Sequence, residues 1–482
     1  MRNVLVTWMA GCFLAGCAGG ATPPGPKGPV EAAGKGATAT AEAAKARPDE
    51  APRAPGAWLG AAPVSDLLMA GPGDTQIGVW VDVPAAISAT KRPPAAVALV
   101  IDTSGSMSGL RLVNARNAAR AFVDSMVDGD VVSLTSFDDA AVERLPPTVL
   151  GPHNRGAVSH AIDALRAAGG TNLFEGLRSG ESRVVNAPPT HPVRRVVLLS
   201  DGRANVGPSS PAMLGELARR GAERGVQITS MGVGEGYDET TLNALAVASS
   251  GRLYHVDDGE IAAILERETT LLRSTAATDA FVEIVPAPGV ELRAVEGARA
   301  ERFGQGLRVP LGTMFAGQHR EMLVRARVRG DGPREDGPAA LASVRFHFRD
   351  SADGGLERVH EVVTRCRFSD DANAVSSSYN SRVQTIAAAL ESGQAAIEAA
   401  QRLNQGDFVS AERQLAAAET RMRERADKAQ SSDEKKRALT AASSMASARG
   451  AARAAAASPS PPAAMRKSAL QVNQAAMDSL GY

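Results

Sequence analysis

A central segment of the chain shows apolar runs that alternate with helical patterns. Residues 96–101 are continuously apolar, which is typical of a strand buried on both faces of a parallel sheet. Because parallel strands need crossover connections, which are usually helices, the alternation predicts a doubly wound, mostly parallel α/β domain over residues 95–273. The predicted strands cover 96–101, 131–134, 195–199, 226–231 and 252–256, and the predicted helices cover 110–127, 157–168, 173–186, 210–224, 238–248 and 258–272.

The helical pattern at 110–127 also predicts which side chains of that helix face the core. Apolar residues recur there at helical spacing, which indicates an amphipathic helix packed on the sheet. We expect five apolar residues on or near the buried face: Leu110, Val113, Ala121, Phe122 and Met126.

The pattern changes after residue 275. Short apolar or alternating runs separated by Gly and Pro turns predict strands, and no helix fits between them. We therefore predict a β-sandwich over 275–370. An alternating strand at 75–83, within the segment 58–94, is expected to join that sandwich, with the α/β domain inserted between its parts. The predicted sandwich strands cover 281–285, 307–309, 322–328 and 344–348.

The last part of the chain is rich in Ala, Gln, Glu and Arg at helical spacing. Residues 380–456 predict a helical hairpin with a turn at 404–407, where Asn-Gln-Gly-Asp interrupts the pattern. A Ser-Pro-rich stretch at 458–462 breaks the helices. Residues 457–482 are therefore expected to be a Pro-rich break followed by a tail. The tail can end in a short helix.

The N-terminus carries a targeting pattern. An apolar run at 4–14 follows Arg2 and leads into Leu-Ala-Gly-Cys, which ends at Cys17. This resembles the signal of bacterial lipoproteins and implies that residues 1–17 are a signal peptide with lipid attached to Cys17. An ordinary secretory signal cut nearby, or a short membrane anchor, is the alternative. Ala18 stands where an aspartate would signal retention in the inner membrane, so the resemblance implies the outer membrane of a Gram-negative envelope.

Composition narrows the classes of partner. The 53 basic and 53 acidic side chains leave no net charge, which argues against a nucleic-acid-binding protein. Residues 18–57 contain almost no large apolar side chains and are expected to form a disordered tether. With Cys12 in the signal and Cys17 lipidated, Cys366 stands alone and no internal disulfide is expected. We expect Cys366 to be a half-buried strand residue, a redox role being the alternative.

Polar residues follow the predicted strands where a ligand would bind. In doubly wound sheets, ligands bind at the carboxyl ends of the strands. Three segments bring polar side chains to such positions: Asp102 to Ser106, Gly169 to Asn172, and Ser200 to Gly202. Taken singly, Asp102 or Ser104 could cap the following helix, and Thr171 could be a turn residue. Asp138 and Asp139 are interpreted as a solvated turn.

Taken together, these residues resemble a known metal site. Asp102-x-Ser104-x-Ser106, followed by Thr171 and then Asp201-Gly202, is similar to the metal-ion-dependent adhesion site of von Willebrand factor A domains. The resemblance covers residues 95–273 in order and spacing. It implies a bound Mg²⁺, or Mn²⁺ or Ca²⁺, since these hard cations prefer oxygen ligands.

The resemblance also implies a role for each site residue. The Ser104 and Ser106 hydroxyls would bind the metal directly, Thr171 directly or through water, and Asp102 and Asp201 mostly through waters or hydrogen bonds. Gly105 and Gly202 would let the backbone turn tightly beside the ion. The flanking β and helical regions resemble bacterial proteins related to the inter-alpha-trypsin-inhibitor heavy chains.

Neutral direct ligands would leave the charge of the cation poorly neutralised. An open coordination position would then attract an exposed Asp or Glu of a partner protein. The sequence therefore predicts a metal-dependent protein-binding module on a lipid-anchored envelope protein. The alternative is a structural envelope protein in which the metal only stabilises the domain. An enzyme is not expected, because the sequence supplies no general base beside an activated nucleophile.

Overall fold

A computed structural model describes residues 58–85, 92–257, 259–329, 337–458 and 461–482. The predicted signal peptide at 1–17, the tether at 18–57 and the lipidation of Cys17 lie outside the described residues. The strands within these ranges are β1 Leu59–Pro63, β2 Leu67–Met69, β3 Gly73–Asp82, β4 Ala95–Asp102, β5 Val131–Phe137, β6 Ala141–Val149, β7 Val193–Ser200, β8 Val226–Val233, β9 Arg252–Val256, β10 Thr275–Pro286, β11 Val290–Glu296, β12 Glu301–Phe303, β13 Gly306–Phe315, β14 His319–Val328, β15 Ala339–Asp350 and β16 Leu356–Ser369.

Helices occupy most of the remaining described chain. A single 3₁₀ turn, Gly105–Met107, lies between β4 and the first α-helix. The α-helices are α1 Leu110–Ser125, α2 Arg155–Asp163, α3 Leu173–Val185, α4 Pro211–Ala222, α5 Glu239–Ser249, α6 Ile261–Arg273, α7 Ala372–Ser377, α8 Ser381–Asn404, α9 Phe408–Asp427, α10 Ser432–Ala456 and α11 Pro461–Leu480.

The central sheet confirms the predicted doubly wound α/β fold. Its strand order is β6-β5-β4-β7-β8-β9, and every neighbouring pair is parallel except β5 with β6. All eight residues of β4 are buried because helices cover both faces of the sheet. Val97, Leu99 and Ile101 pack with α1, α2 and α6, whereas the alternate residues of β4 pack with α3, α4 and α5.

Strand β6 was not predicted. It is antiparallel, it lies at the edge of the sheet, and most of its side chains are exposed. It also contains Pro146 and Pro147, which lack the backbone N–H that a central strand needs. An edge position tolerates both prolines, and only the tertiary structure reveals that this segment lies at an edge.

The predicted buried face of α1 was partly wrong. Leu110 is 76% exposed and Val113 is 43% exposed, and Ala121 is exposed as well, whereas Phe122 and Met126 are buried as expected. Half of the residues in the stripe that faces the core are alanine, and such small side chains let a helix pack closely on its neighbours. The buried residues of the helix are Leu112, Ala115, Ala118, Ala119, Phe122 and Val123.

The segments on either side of the α/β domain form two packed antiparallel sheets. One has the strand order β1-β3-β14-β11 and the other β12-β13-β10-β15-β16-β2, in which only the β16–β2 pair is parallel. Strand β3 pairs with β14 along its whole length, from Gly73 to Asp82. The chain therefore leaves this β region after β3 and returns at β10. Cys366 lies in β16 and is 2% exposed.

The C-terminal region contains more helix than the predicted hairpin. Helices α8, α9 and α10 pack in succession, and α11 packs on α10 and back against α8. The predicted tail at 457–482 is thus largely helical. Proline is tolerated in the first turn of a helix, where its missing N–H has no helical partner, so the Pro-rich break also begins α11 at Pro461. No helix in the described ranges is both long enough and apolar enough to span a membrane.

Candidate metal centre

The site begins with a carboxylate at the carboxyl end of β4. Asp102 is fully buried, and its Oδ1 accepts a hydrogen bond from the Ser104 backbone N–H at 2.8 Å. Its Oδ2 accepts a hydrogen bond from the Ser200 hydroxyl, at the end of β7, at 2.6 Å. Burial raises the pKa of Asp102 to about 6, although the hydrogen bonds from Ser104 and Ser200 lower it. The carboxylate is therefore fixed between two neighbouring strands.

The 3₁₀ turn after β4 carries the two predicted serine ligands. The Oγ atoms of Ser104 and Ser106 lie 3.1 Å apart. Ser106 Oγ also donates to Asp201 Oδ1 at 2.7 Å, which joins this turn to the end of β7. The turn is held from the other side by a hydrogen bond of 3.0 Å from the Gly105 N–H to the Gly169 carbonyl.

Thr171 comes from the loop between α2 and α3. It is 3% exposed, its N–H donates to Asn205 Oδ1 at 2.8 Å, and its carbonyl accepts from the Asn205 N–H at 3.1 Å. Asp139 supports the same loop by accepting a hydrogen bond from the Gly170 N–H at 2.8 Å. The predicted solvated turn at Asp138 and Asp139 thus also helps to hold the site.

Gly202 marks the place where these loops approach one another. A Cβ atom added there would lie 3.2 Å from Thr171 Oγ1 and 3.7 Å from Ser106 Oγ. The structure therefore brings the five predicted side chains together at the carboxyl ends of β4 and β7: Asp102, Ser104, Ser106, Thr171 and Asp201.

Comparison with known families identifies this part of the chain. Residues 96–267 match the family model of the von Willebrand factor type A domain. The chain contains a von Willebrand factor type A domain. The A domain comprises the central sheet, its flanking helices and the site described above.

Solved structures share the fold over more than the A domain. A von Willebrand factor type A protein from Catenulispora acidiphila aligns with a TM-score of 0.62 and 18% identity, covering 80% of this chain and 89% of that one. The ArnB paralog VWA2 from Sulfolobus acidocaldarius aligns with a TM-score of 0.56 and 15% identity, covering 87% and 98%. At these identities, the similarity concerns the fold alone.

Related sequences occur in bacteria. Escherichia coli YfbK is 28% identical over 248 residues, which are 49% of this chain and 42% of that protein. A protein of Synechocystis is 25% identical over 276 residues, which are 55% of this chain and 64% of that protein. The chain thus matches less than two thirds of the length of each relative.

The donor set of the A domain fits a hard divalent cation. Hydroxyl oxygens of Ser104, Ser106 and Thr171 would hold the ion directly, and Asp102 and Asp201 would hold water molecules around it, since Mg²⁺ dehydrates reluctantly. The site differs from a cluster of acidic or imidazole ligands, because no group of three or more His, Cys, Asp or Glu side chains in the described ranges could hold a metal. When bound, the ion would supply an electrophilic position for an outside oxygen ligand.

The prediction missed two residues that hold the site. Ser200 fixes Asp102 but looks like the last residue of an ordinary strand. Arg111 Nη1 donates to Asp201 Oδ2 at 2.8 Å from the first turn of α1. A cation is unfavourable at the N-terminus of a helix, because the helix dipole is positive there. A basic residue in that position was therefore the available sign that Arg111 has a partner outside the helix.

Helix α11 contacts the A domain close to the site. Arg466 donates to the Glu235 carbonyl at 2.9 Å and forms an ion pair of 2.7 Å with Glu239. The loop that begins at Glu235 also approaches the metal centre, because a Cβ atom at Gly236 would lie 2.6 Å from the Asp201 carbonyl oxygen. The C-terminal helix therefore braces a loop that touches the candidate site.

Proposed function

We propose that the A domain is a metal-dependent protein-binding module. Its divalent cation would accept an Asp or Glu side chain of a partner protein in an open coordination position. The observation that carries the proposal is the convergence of three hydroxyls and two buried carboxylates around Gly202. The family match also supports a protein-binding function, since A domains commonly mediate protein–protein interaction.

The bonding of the hydroxyls supports the binding of a cation. Ser200 and Ser106 donate to Asp102 and Asp201, which are both buried. Such hydrogen bonds orient oxygen atoms around a cation. A hydroxyl that gives its proton to a carboxylate keeps its oxygen lone pairs for a cation. We propose that the partner is held without chemical change.

Metal binding is the first test. Isothermal titration of Mg²⁺, and then of Mn²⁺ and Ca²⁺, into the purified full chain should show one site. The site should be lost in Asp102→Ala, because Ser104 and Ser200 lose their common acceptor. Ser104→Ala keeps that carboxylate and should weaken binding without unfolding the domain, which a thermal melt in EDTA checks. Unchanged Mg²⁺ binding in both variants would refute the site.

Partner binding is the second test. The full chain is crosslinked to envelope proteins in Mg²⁺ and in EDTA, beside Asp102→Ala. A partner captured only by the wild type with metal, and lost when its own exposed Asp or Glu is replaced, would support the proposal. If Mg²⁺ raises the melting temperature but capture is equal in all samples, the metal has a structural role instead.

We also propose that Cys17 carries lipid and anchors the protein in the outer membrane. The support is the Leu-Ala-Gly-Cys stretch after an apolar run, with Ala18 following it. Cells fed labelled palmitate should label the wild type but not Cys17→Ser, and fractionation should place the labelled protein in the outer membrane. Label on Cys17→Ser, or recovery of the wild type without label, would exclude this anchor.

A further inference from the structure

Both oxygens of the Asp201 carboxylate accept hydrogen bonds. Oδ1 accepts from the Ser106 hydroxyl at 2.7 Å, and Oδ2 accepts from Arg111 Nη1 at 2.8 Å. The Asp201 side chain is fully buried, whereas the Arg111 side chain is 33% exposed. The ion pair therefore joins a buried carboxylate of the site to a guanidinium that is partly exposed to solvent.

The ion pair changes the charge balance of the centre. Two ionised carboxylates, Asp102 and Asp201, would together neutralise a divalent cation. Arg111 adds one positive charge beside Asp201, so the loaded centre would be one charge unit more positive than the same centre without Arg111. Burial makes this difference matter, because charges in a water-poor site are screened less than charges on the surface. A more positive centre binds an anionic ligand more tightly relative to a neutral one.

We propose that Arg111 sets the ligand preference of the metal centre by neutralising Asp201. Arg111 weakens the hold of the protein on the cation and strengthens the hold of the cation on a partner carboxylate. This inference rests on the proposed function, because it assumes that a cation binds at Ser104, Ser106 and Thr171. It adds that the preference for an acidic side chain comes from a residue that does not itself bind the metal.

The proposal predicts effects of opposite sign from one substitution. In Arg111→Gln, Asp201 keeps its full negative charge, so the divalent cation should bind about tenfold more tightly. The same loss of positive charge should raise the concentration of a carboxylate probe needed for half-saturation by about tenfold. Arg111→Lys preserves the charge and should stay within about threefold of the wild type in both measurements. A residue with only a structural role would not move the two affinities in opposite directions.

Water proton relaxation of bound Mn²⁺ measures both affinities in one experiment. Titration of Mn²⁺ into the full chain gives the metal affinity from the relaxation enhancement. Titration of acetate into the Mn²⁺-loaded protein then reports the displacement of metal-bound water, with acetamide as the neutral probe and a protein-free sample as the blank. Arg120→Gln is the matched control, because Arg120 also lies on α1 and pairs with a carboxylate, that of Asp163.

The outcomes separate this inference from the proposed function. Tighter Mn²⁺ with weaker acetate binding in Arg111→Gln, and neither change in Arg120→Gln, supports the inference. If wild type binds Mn²⁺ but Arg111→Gln leaves both affinities unchanged, or weakens both, the inference is wrong and the proposed metal site stands. If the wild type binds no Mn²⁺, both fail. A thermal melt in EDTA checks that each variant is folded.

Discussion

A methyl group at residue 202 would test whether the site closes around an ion. In Gly202→Ala the new Cβ would lie 3.2 Å from Thr171 Oγ1 and 3.7 Å from Ser106 Oγ. The first distance is shorter than an ordinary van der Waals contact, so the Thr171 side chain must retreat by a few tenths of an ångström. Gly202 does not have a positive φ, so alanine fits its backbone without strain.

The expected loss of metal affinity follows from this displacement. Mg²⁺ requires near-octahedral geometry, and ligand distances are reproduced to within about 0.2 Å in true sites. A shift of Thr171 by a few tenths of an ångström exceeds that tolerance. Disturbing a group that orients a ligand commonly costs about 10–100-fold in metal affinity. We expect about a tenfold loss for Gly202→Ala, which corresponds to about 1.4 kcal/mol of binding free energy.

The folded state itself should hardly change. Replacing Gly by Ala where the backbone permits it gains about 0.4–1 kcal/mol through the unfolded chain, which roughly offsets the tight contact. Urea unfolding in EDTA should therefore agree with the wild type to within about 1 kcal/mol. Titration calorimetry with Mg²⁺ gives the affinity.

A glycine elsewhere in the A domain provides the matched control for this substitution. A Cβ atom at Gly156, in α2, would meet no atom within 4 Å. Gly156→Ala should therefore bind Mg²⁺ like the wild type. If Gly202→Ala also binds Mg²⁺ with wild-type affinity, Thr171 and Ser106 do not close around an ion beside Gly202.

Three further predictions concern the framework around the site. Burial raises the pKa of Glu181 to about 8 from its usual 4.5, so the protonated form is favoured in the folded state and stability falls as pH rises between these values. Glu181→Gln should flatten that slope and raise the free energy of unfolding at pH 8 by up to about 4 kcal/mol, and equal pH slopes in urea unfolding would contradict it. Glu268→Ala should lower the free energy of unfolding by about 3–5 kcal/mol, because the buried Arg195 guanidinium loses its acidic partner. Arg195 lies 3.3 Å from Glu268 and is 1% exposed. The double variant Arg195→Met/Glu268→Met should recover much of that loss in the same assay. Leu470→Ala should lower the free energy of unfolding by about 2–5 kcal/mol, because Leu470 is fully buried where α11 joins the core of the α/β domain. An unchanged free energy of unfolding would mean that α11 does not pack there.

The fold class and the candidate site could largely be predicted from local patterns. Strand β4 can be predicted from its sequence, because a strand covered on both faces is apolar along nearly its whole length. Asp102 ends this strand, Ser104 and Ser106 follow it, and Asp201 stands directly after β7, so chain order alone placed them at the same edge of the sheet. The role of Thr171 as a ligand needed the family resemblance, because its loop lies between two predicted helices and does not directly follow a predicted strand.

Other features left weaker local signals. Strand β6 contains two prolines and faces solvent, which conceals a strand from any pattern of periodicity. Leu110 and Val113 are large and apolar, yet the alanines of α1 face the sheet instead. In α11, Pro461 marked the end of a helical region but is equally compatible with the start of another helix.

The sequence by itself determined the elements that repeat a simple rule over several residues: buried parallel strands, amphipathic helices, and oxygen-bearing residues at strand ends. Only the tertiary structure decided which residues from distant elements meet. The contact of Arg111 with Asp201 and the contact of Arg466 with the loop at Glu235 join residues far apart in the chain. Periodicity reports whether a side chain faces the core or solvent, because burial repeats along an element. Periodicity does not reveal a single ion pair between two elements. The charge of the candidate metal centre depends on such a pair.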